Sequence, residues 1–427
     1  MSPEKVKWAG SCGDKAGPGA TTMQPLLLLC LLLLSPQAAS LRHRHHSREV
    51  KKKVKEPPTE ATVAPSSKDL AFDLYRALAS AAPTENIFFS PLSISTSLAM
   101  LSLGARSDTK TQILEGLGLS LPEEELHRHF QHLLQELSQP HGGFQLSLGN
   151  ALFTDPVLDV QPAFLSALKT LYLADIFPTN FGDPAEAKKQ INDYVAKQTQ
   201  GKIGSLIENL DSTQIMVMVN YIFFKAEWET GFSPKSTRER DFHVTAETAV
   251  QVPMMHGEGQ YYYVLDDNLS CSVVGLPYHG NATAVFVLPD EDRMAQVEKE
   301  LTGKTLRKWL RTFRKRKLEL FLPKFSIEGS YQLERVLPRL GISDAFTSHA
   351  DLSGINNHSN IQVSEMVHKA MVEVNESGTK ATAATGSVFT FRSAQLSSLR
   401  VVFNRPFLMS ILDSNLNILF LGKVTKP

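Results

Sequence analysis

The residues with the clearest chemical pattern in this 427-residue sequence lie near its carboxyl terminus, between Glu376 and Ser393. Side chains of an extended chain alternate between two faces, so every second residue shares a face. One face would carry only small residues, namely Thr379, Ala381, Ala383, Thr385 and Ser387. Lys380 would lie on the other face. The pattern predicts a segment that lies in solvent and can also enter a β-sheet, so that a backbone movement is part of the function.

The same segment ends in Arg392, which is preceded by Phe391 and followed by Ser393. A long cationic side chain in a segment of low charge fits the acidic specificity pocket of a trypsin-like protease. The alternative interpretation is an ordinary surface arginine in a loop. The small-residue face upstream favours the first interpretation, because an ordinary loop has no need of it.

A second cluster, between Lys304 and Lys317, could bind a polyanion. Its apolar residues follow the i, i+3, i+4, i+7 spacing of an amphipathic helix: Leu306, Trp309, Leu310 and Phe313. At about 100° per residue, six cations fall on the opposite side of that helix: Lys304, Arg307, Lys308, Arg311, Arg314 and Lys315. No acidic residue neutralises that face in the sequence, because Glu298 and Glu300 precede it and Glu319 follows it.

Like charges concentrated on one face destabilise a helix unless a partner compensates them. This argument favours a polyanion site over an ordinary solvated helix face. In a secreted chain a sulfated glycosaminoglycan such as heparin is a more plausible polyanion than a nucleic acid, and binding by counterion release would depend strongly on salt.

Motifs of enzymes and metal sites are absent from the sequence. It contains no Gly-x-Ser-x-Gly elbow, His-Glu-x-x-His pair, P-loop or Cys-x-x-Cys pair. His43, His45 and His46 could contact a metal, but we favour a solvated tail. The members of a catalytic triad come together only on folding, so a hydrolase stays a third class with no motif behind it. We expect no catalytic residue, no metal and no cofactor.

The amino-terminal part predicts export. An apolar run extends from Leu26 to Leu34 and is followed by small residues. This run is too short to span a bilayer and has the length of a signal-peptide core. Because Met23 looks like the natural start, we expect residues 1–22 to be an alternative-start extension and residues 23–40 to be the signal peptide. The expected localisation is secreted and extracellular, with no transmembrane segment.

Four N-glycosylation sequons agree with secretion, at Asn268, Asn281, Asn357 and Asn375. Of the three cysteines, only Cys271 would remain after removal of the leader, so no intramolecular disulfide is expected in the mature chain. Cys271 itself is expected to be buried as a small apolar residue.

Composition and periodicity predict one large α+β domain over residues 67–427. Hydrophobic residues make up 42% of the chain and charged residues 21%, which are values of a globular protein with a substantial core. Residues 41–66 form a basic, histidine-rich arm with almost no apolar mass, and we expect it to be disordered. Helix signals follow, as in Leu70, Leu74 and Leu78, whereas strand signals such as 216–224 dominate the second half.

Several motifs along residues 67–427 together resemble the serpin family. They are specific as a set, because they are independent of one another and occur in the family's order. The motifs are Asn86-Ile-Phe-Phe-Ser-Pro-Leu-Ser-Ile-Ser95, Ile191-Asn-Asp-Tyr194, Val219-Asn-Tyr-Ile-Phe-Phe-Lys-Ala-Glu-Trp228, Leu322-Pro-Lys-Phe325, Val367-His-Lys-Ala370, the segment from Glu376 to Ala384, and Phe403-Asn-Arg-Pro-Phe407.

The resemblance implies an α+β fold with three β-sheets, about nine helices and an exposed reactive loop. It implies a scissile bond between Arg392 and Ser393. The implied hinge contains Glu376, Gly378, Thr379, Ala381 and Ala383. Three structural polar residues correspond to the region where the central sheet opens: Ser93, Asn220 and His368. The implied heparin-binding helix contains Arg307, Lys308 and Arg311.

The implied activity is that of a suicide-substrate inhibitor of Arg-specific, trypsin-like serine proteases of the coagulation, protein C pathway, kallikrein or plasminogen-activator type. Loop insertion would trap the protease as a covalent acyl-enzyme, and heparin would modulate the reaction. The alternative is a non-inhibitory serpin that carries a small hydrophobic ligand or phospholipid. The small residues through Ser387 favour the inhibitor, because a carrier tolerates charge or bulk on that face.

One residue departs from the family pattern. Asn375 occupies a position where an acidic residue is expected, directly before the hinge, and it creates the sequon Asn375-Glu-Ser377.

Overall fold

The computed structural model describes residues 69–119, 121–139, 144–357, 361–378 and 398–427. The predicted leader and the predicted basic arm lie outside these ranges. So do residues 379–397, which include Thr379, Ala381, Ala383 and the predicted scissile bond between Arg392 and Ser393.

The described residues contain nine α-helices and three short 3₁₀ helices. The α-helices are α1 (Leu70–Ala81), α2 (Pro91–Ser102), α3 (Ser107–Leu117), α4 (Glu123–Leu137), α5 (Pro162–Tyr172), α6 (Pro184–Gln198), α7 (Met294–Glu300), α8 (Gly303–Thr312) and α9 (Leu333–Val336). The 3₁₀ helices are Pro234–Ser236, Leu337–Leu340 and Asp344–Phe346.

Fourteen strands lie in the same part of the chain. They are β1 (Ile87–Phe89), β2 (Phe144–Thr154), β3 (Asp175–Pro178), β4 (Met216–Ala226), β5 (Arg238–His243), β6 (Ala249–Asp266), β7 (Cys271–Pro277), β8 (Thr283–Pro289), β9 (Arg314–Pro323), β10 (Phe325–Gln332), β11 (Glu365–Val374), β12 (Leu399–Val402), β13 (Phe407–Leu412) and β14 (Ile418–Val424).

Local sequence signals account for the first helices. The predicted apolar stripe of α1 is buried at Leu70, Leu74 and Leu78. At the start of α2 the Ser90 side chain accepts a hydrogen bond from the Ser93 N–H at 3.1 Å, and Pro91 stands in the first turn, where its missing N–H has no cost.

The five-stranded sheet has the order β10-β11-β4-β2-β3. Strand β11 is antiparallel to β10 and parallel to β4. The parallel ladder joins seven residue pairs, from Glu365 opposite Val217 to Met371 opposite Phe223. These two strands are therefore direct neighbours, with no strand between them.

Helix α6 contributes to the core on one face of this sheet. Its buried residues Ile191 and Val195 belong to the same apolar cluster as Val217 and Val219 of β4. The apolar stripe of α6 is narrow, since its buried residues are spaced four apart along one side of the helix.

The remaining nine strands form one hydrogen-bonded sheet, although the family resemblance implies three sheets in total. The cause is β6, whose 18 residues belong to two groups of strands. Its first part pairs with β5 and β9, whereas its last residues, from Tyr262 to Asp266, pair with β7. Counting β6 in both groups gives the three implied sheets, and the α+β class is confirmed.

No helix in the described ranges is both long enough and apolar enough to cross a membrane.

Candidate functional site

A closed turn at residues 375–378 ends β11 and precedes the segment that is predicted to carry the small-residue face. The Asn375 N–H donates to the Gly378 carbonyl at 2.8 Å, and the Gly378 N–H donates to the Asn375 carbonyl at 3.1 Å. Gly378 has a φ of +134°, and a Cβ there would collide with the carbonyl oxygen of Ala226. The turn therefore requires glycine at position 378.

The chain that follows β4 holds this turn in place. The backbone N–H of Trp228 donates to the Ser377 carbonyl at 2.9 Å, and its indole N–H donates to the Asn375 carbonyl at 3.0 Å. The Phe232 N–H donates to the Glu376 carbonyl at 2.8 Å. The turn that follows β11 is thus hydrogen-bonded to the residues that follow β4.

The carboxylate of Glu376 provides the side-chain anchor of the turn. The Thr237 hydroxyl donates to one carboxylate oxygen at 2.9 Å, and the Lys324 ammonium lies 3.1 Å from the other. Burial alone would raise the pKa of Glu376, but backbone and side-chain hydrogen bonds and the Lys324 charge together lower it below its usual value. Sequence reasoning found Glu376 but missed both partners, because they lie far away along the chain.

A buried polar network links α2, β4 and β11, and it unites the three residues expected at the sheet-opening region. The Ser93 hydroxyl donates to the side-chain oxygen of Asn220 at 2.7 Å, and Nδ1 of His368 contacts that same oxygen. The Ser90 N–H donates to Nε2 of His368 at 3.0 Å. Nε2 therefore carries no proton, and the proton of the neutral ring is on Nδ1. Burial lowers the pKa of His368 to about 3.

Two further residues of this network were not predicted. Asn150 accepts hydrogen bonds from the Ser97 hydroxyl at 2.6 Å and from the Asn220 amide at 2.9 Å. Their signal in the sequence is weak, since buried serine and asparagine look like ordinary surface residues until the fold is known.

The basic cluster is divided between a helix and a strand, which corrects the prediction of one long helix. Helix α8 ends at Thr312, because Phe313 adopts an extended ψ of 134°. Four of the predicted residues lie exposed on α8: Lys304, Arg307, Lys308 and Arg311. Arg314 and Lys315 are exposed at the start of β9, opposite Tyr263 and Tyr262 of β6.

An acidic partner for this surface was also missed. The Lys308 ammonium lies 2.9 Å from a carboxylate oxygen of Asp266, a β6 residue whose side chain is only 3% exposed. The indole N–H of Trp309 donates to the same oxygen at 2.8 Å. Burial alone would raise the pKa of Asp266, but these contacts lower it. The statement that no acid neutralises the face is therefore wrong for Lys308.

Arg316 and Lys317 extend the surface along β9 and are also exposed. Helical spacing of about 100° per residue would turn both away from the basic face, so the predicted set of six did not include them.

The sequons differ in exposure. Asn268, Asn281 and Asn357 are exposed, whereas Asn375 is half-buried. Cys271 is fully buried, as predicted, and burial raises the pKa of its thiol to about 12.

Known proteins share this architecture. The family described as Serpin (serine protease inhibitor) matches residues 65–427. The plasma serine protease inhibitor of Homo sapiens is 72% identical over 409 residues, which cover 95% of this chain and all of that protein. The plasma serine protease inhibitor of Bos taurus is 66% identical over the same coverage.

Among solved structures, human thyroxine-binding globulin in complex with thyroxine is similar, with a TM-score of 0.80 and 42% identity. The match covers 84% of this chain and 96% of that one. Family match, relatives and fold agree over the region that holds the turn and the polar network. The chain therefore belongs to the serpin family of serine protease inhibitors.

Proposed function

We propose that this protein is a secreted suicide-substrate inhibitor of Arg-specific, trypsin-like serine proteases. The observation that carries the proposal is the fastened turn from Asn375 to Gly378. It leaves β11 beside the end of β4, and it places Gly378, the last described residue before the small-residue segment, where these two parallel neighbouring strands end.

The proposed reaction begins when the protease serine attacks the carbonyl carbon of Arg392. The bond to Ser393 breaks, the new amine leaves, and an ester joins Arg392 to the protease. The segment from Thr379 then enters the sheet between β11 and β4, which is the strand addition known for serpins. New hydrogen bonds on both edges of the inserted strand replace the single ladder that now joins β11 to β4.

The energy available to this movement is substantial. Fourteen residues lie from Thr379 to Arg392. At about 1 kcal/mol net per hydrogen bond, ordering them yields on the order of 10 kcal/mol, comparable with the whole stability of about 5–15 kcal/mol of a typical domain. That amount suffices to distort a protease active site and to strand the acyl-enzyme.

The exposed cations of α8 and β9 support modulation by heparin or a related glycosaminoglycan. The ion pair with Asp266 gives Lys308 a structural role and partly neutralises its charge. In this proposal Arg307 and Arg311 are therefore the main residues of α8 that contact heparin. Processing after residue 40, a basic arm at 41–66 and N-glycosylation, complete or partial, at the four sequons complete the proposed secreted form.

A second candidate is the carriage of a small hydrophobic ligand. The likeness to thyroxine-binding globulin with thyroxine favours it. The predicted small-residue face through Ser387 favours the inhibitor instead, because a carrier that does not insert this segment tolerates larger side chains there.

The decisive test is the reaction of the purified protein with trypsin or another Arg-specific protease. We expect a covalent complex that survives denaturing electrophoresis, and we expect Arg392→Ala to abolish it. Arg400→Ala, which changes an arginine eight residues later, is the matched control and should react normally. A wild type that is only cleaved, or stays intact, overturns the proposal.

A further inference from the structure

The turn at residues 375–378 also contains an N-glycosylation sequon. Within the sequon Asn375-Glu-Ser377, the side-chain oxygen of Asn375 accepts a hydrogen bond from the Ser377 N–H at 3.0 Å. The oxygen and nitrogen of a carboxamide diverge from the same carbon. The amide nitrogen, which would bear the glycan, therefore points away from that N–H.

Strand alternation places Asn375 on a defined side of the sheet. Val372 and Val374 are buried, whereas Met371 and Glu373 are half-buried on the opposite face. Asn375 continues that face. Glu373 there lies 2.7 Å from Lys202 in the chain that follows α6. A glycan on Asn375 would thus occupy the α6 side of the sheet, at the end where β11 meets β4.

The inserting segment has to enter the sheet directly after the turn at residues 375–378. A strand inserted between β11 and β4 has to widen their spacing from about 4.8 Å to about twice that value, so the bonds of Trp228 to Ser377 and of Phe232 to Glu376 must break. The turn then becomes the connection into the new strand. A branched sugar attached to its first residue would lie over the face of the sheet at this opening and hinder the chain as it turns into the new strand.

The half-buried position also affects how the glycan is acquired. Once the turn has closed, its backbone is fixed by neighbours on several sides. Transfer of the sugar therefore has to precede closure, and molecules that close first stay unmodified.

We propose that Asn375 is N-glycosylated on a fraction of the secreted molecules and that this glycan slows loop insertion. The protein then consists of two glycoforms. The unmodified form traps proteases efficiently, and the modified form is more often cleaved and released. This inference rests on the proposed function, because it assumes trapping by insertion.

One reaction tests it with an internal control. Protein secreted from mammalian cells is mixed with excess trypsin-like protease, and the covalent complex and the cleaved inhibitor are separated on a denaturing gel. Mass spectrometry then gives the glycan occupancy in each band. We expect at least threefold higher occupancy of Asn375 in the cleaved band and equal occupancy of exposed Asn268 in both. Absence of the glycan, or equal Asn375 occupancy, overturns the inference.

A variant separates this inference from the proposed function. Asn375→Asp removes the acceptor nitrogen and keeps an oxygen for the Ser377 N–H, so we expect fewer inhibitor molecules consumed per protease trapped. Asn357→Asp, at an exposed sequon, should not change that ratio. If neither wild type nor Asn375→Asp forms a complex, the proposed function fails. If both form it with the same ratio, only the glycan inference fails.

Discussion

At the scale of single residues, the neutral imidazole of His368 couples stability to pH. Its Nε2 accepts the buried Ser90 N–H, and a proton there would leave that donor without an acceptor. Burial lowers the pKa to about 3, against about 6.5 in an unfolded chain. Between these values the unfolded chain binds a proton that the folded protein does not, so stability decreases as the pH falls from about 6.5 towards 3.

We therefore expect the free energy of unfolding to lose about 2 kcal/mol from this group between pH 7 and pH 5. His368→Gln should lose this component, because glutamine does not titrate. Denaturant unfolding at the two pH values measures the difference. His349→Gln, which changes an exposed histidine, should behave like the wild type. An identical pH dependence in His368→Gln would contradict the argument.

The contact between Lys324 and Glu376 leads to a second residue-level prediction. Lys324→Met should loosen the turn by on the order of 1 kcal/mol, as expected for a charged hydrogen bond that is partly exposed. The amides of Trp228 and Phe232 donate to this turn, so hydrogen exchange there should be about fivefold faster. Lys189→Met removes an exposed ion pair with Asp193 within α6 and serves as control. Unchanged exchange would show that the backbone bonds suffice.

Some residues of the candidate site can be identified from the sequence, whereas their distant partners cannot. Ser93, Asn220 and His368 come together in one buried network, and their place in sheet opening stays a prediction; Glu376 lies in the turn that ends β11. Thr237, Lys324 and Asn150 could not be identified, because a partner's identity depends on which distant strands become neighbours. Thr379, Ala381, Ala383, Arg392 and Ser393 lie outside the described residues, and their roles stay predictions.

At the scale of elements, the basic surface shows how pairing between strands overrides helical periodicity. The apolar spacing from Leu306 to Phe313 runs directly into the following cations, so helical periodicity alone predicts a longer helix. Residues from Arg314 onward instead pair with β6 over ten positions. Ten strand pairs stabilise this segment more than one additional helical turn would. No local pattern in the sequence indicates that pairing.

The split of this surface predicts unequal contributions to heparin binding. The double variant Arg307→Ala/Arg311→Ala should bind heparin more weakly, and the slope of log affinity against log salt should decrease by about 1.5. Arg335→Ala, at an arginine with a 75% exposed side chain on α9, is the control. Affinity chromatography and titration at several salt concentrations give the slope. An unchanged slope would move the site to the arm at 41–66.

At the scale of the whole molecule, the α+β class and the family were predictable, but the connectivity of the sheets was not derivable from local patterns. β1 near the start of the described chain pairs with β14 near its end, with Ile87 opposite Lys423. β6 joins two groups of strands through one continuous backbone. Both features depend on contacts between distant residues, which local propensity does not encode.

Loop insertion itself makes a prediction about the entire fold. If the cleaved segment enters between β11 and β4, the gain of on the order of 10 kcal/mol should raise the melting temperature by about 13 °C, given the unfolding entropy of a domain of this size. Thr379→Arg places a charge on the inserting face, so its cleaved form should melt close to its intact form. Thr379→Ser, which keeps a small hydroxyl side chain, should behave like the wild type. Calorimetry of intact and cleaved proteins measures these shifts without any trapped protease, so it tests insertion separately from inhibition. If the cleaved wild type melts at the temperature of the intact protein, the five-stranded sheet does not accept the segment, and the structural basis of trapping is lost.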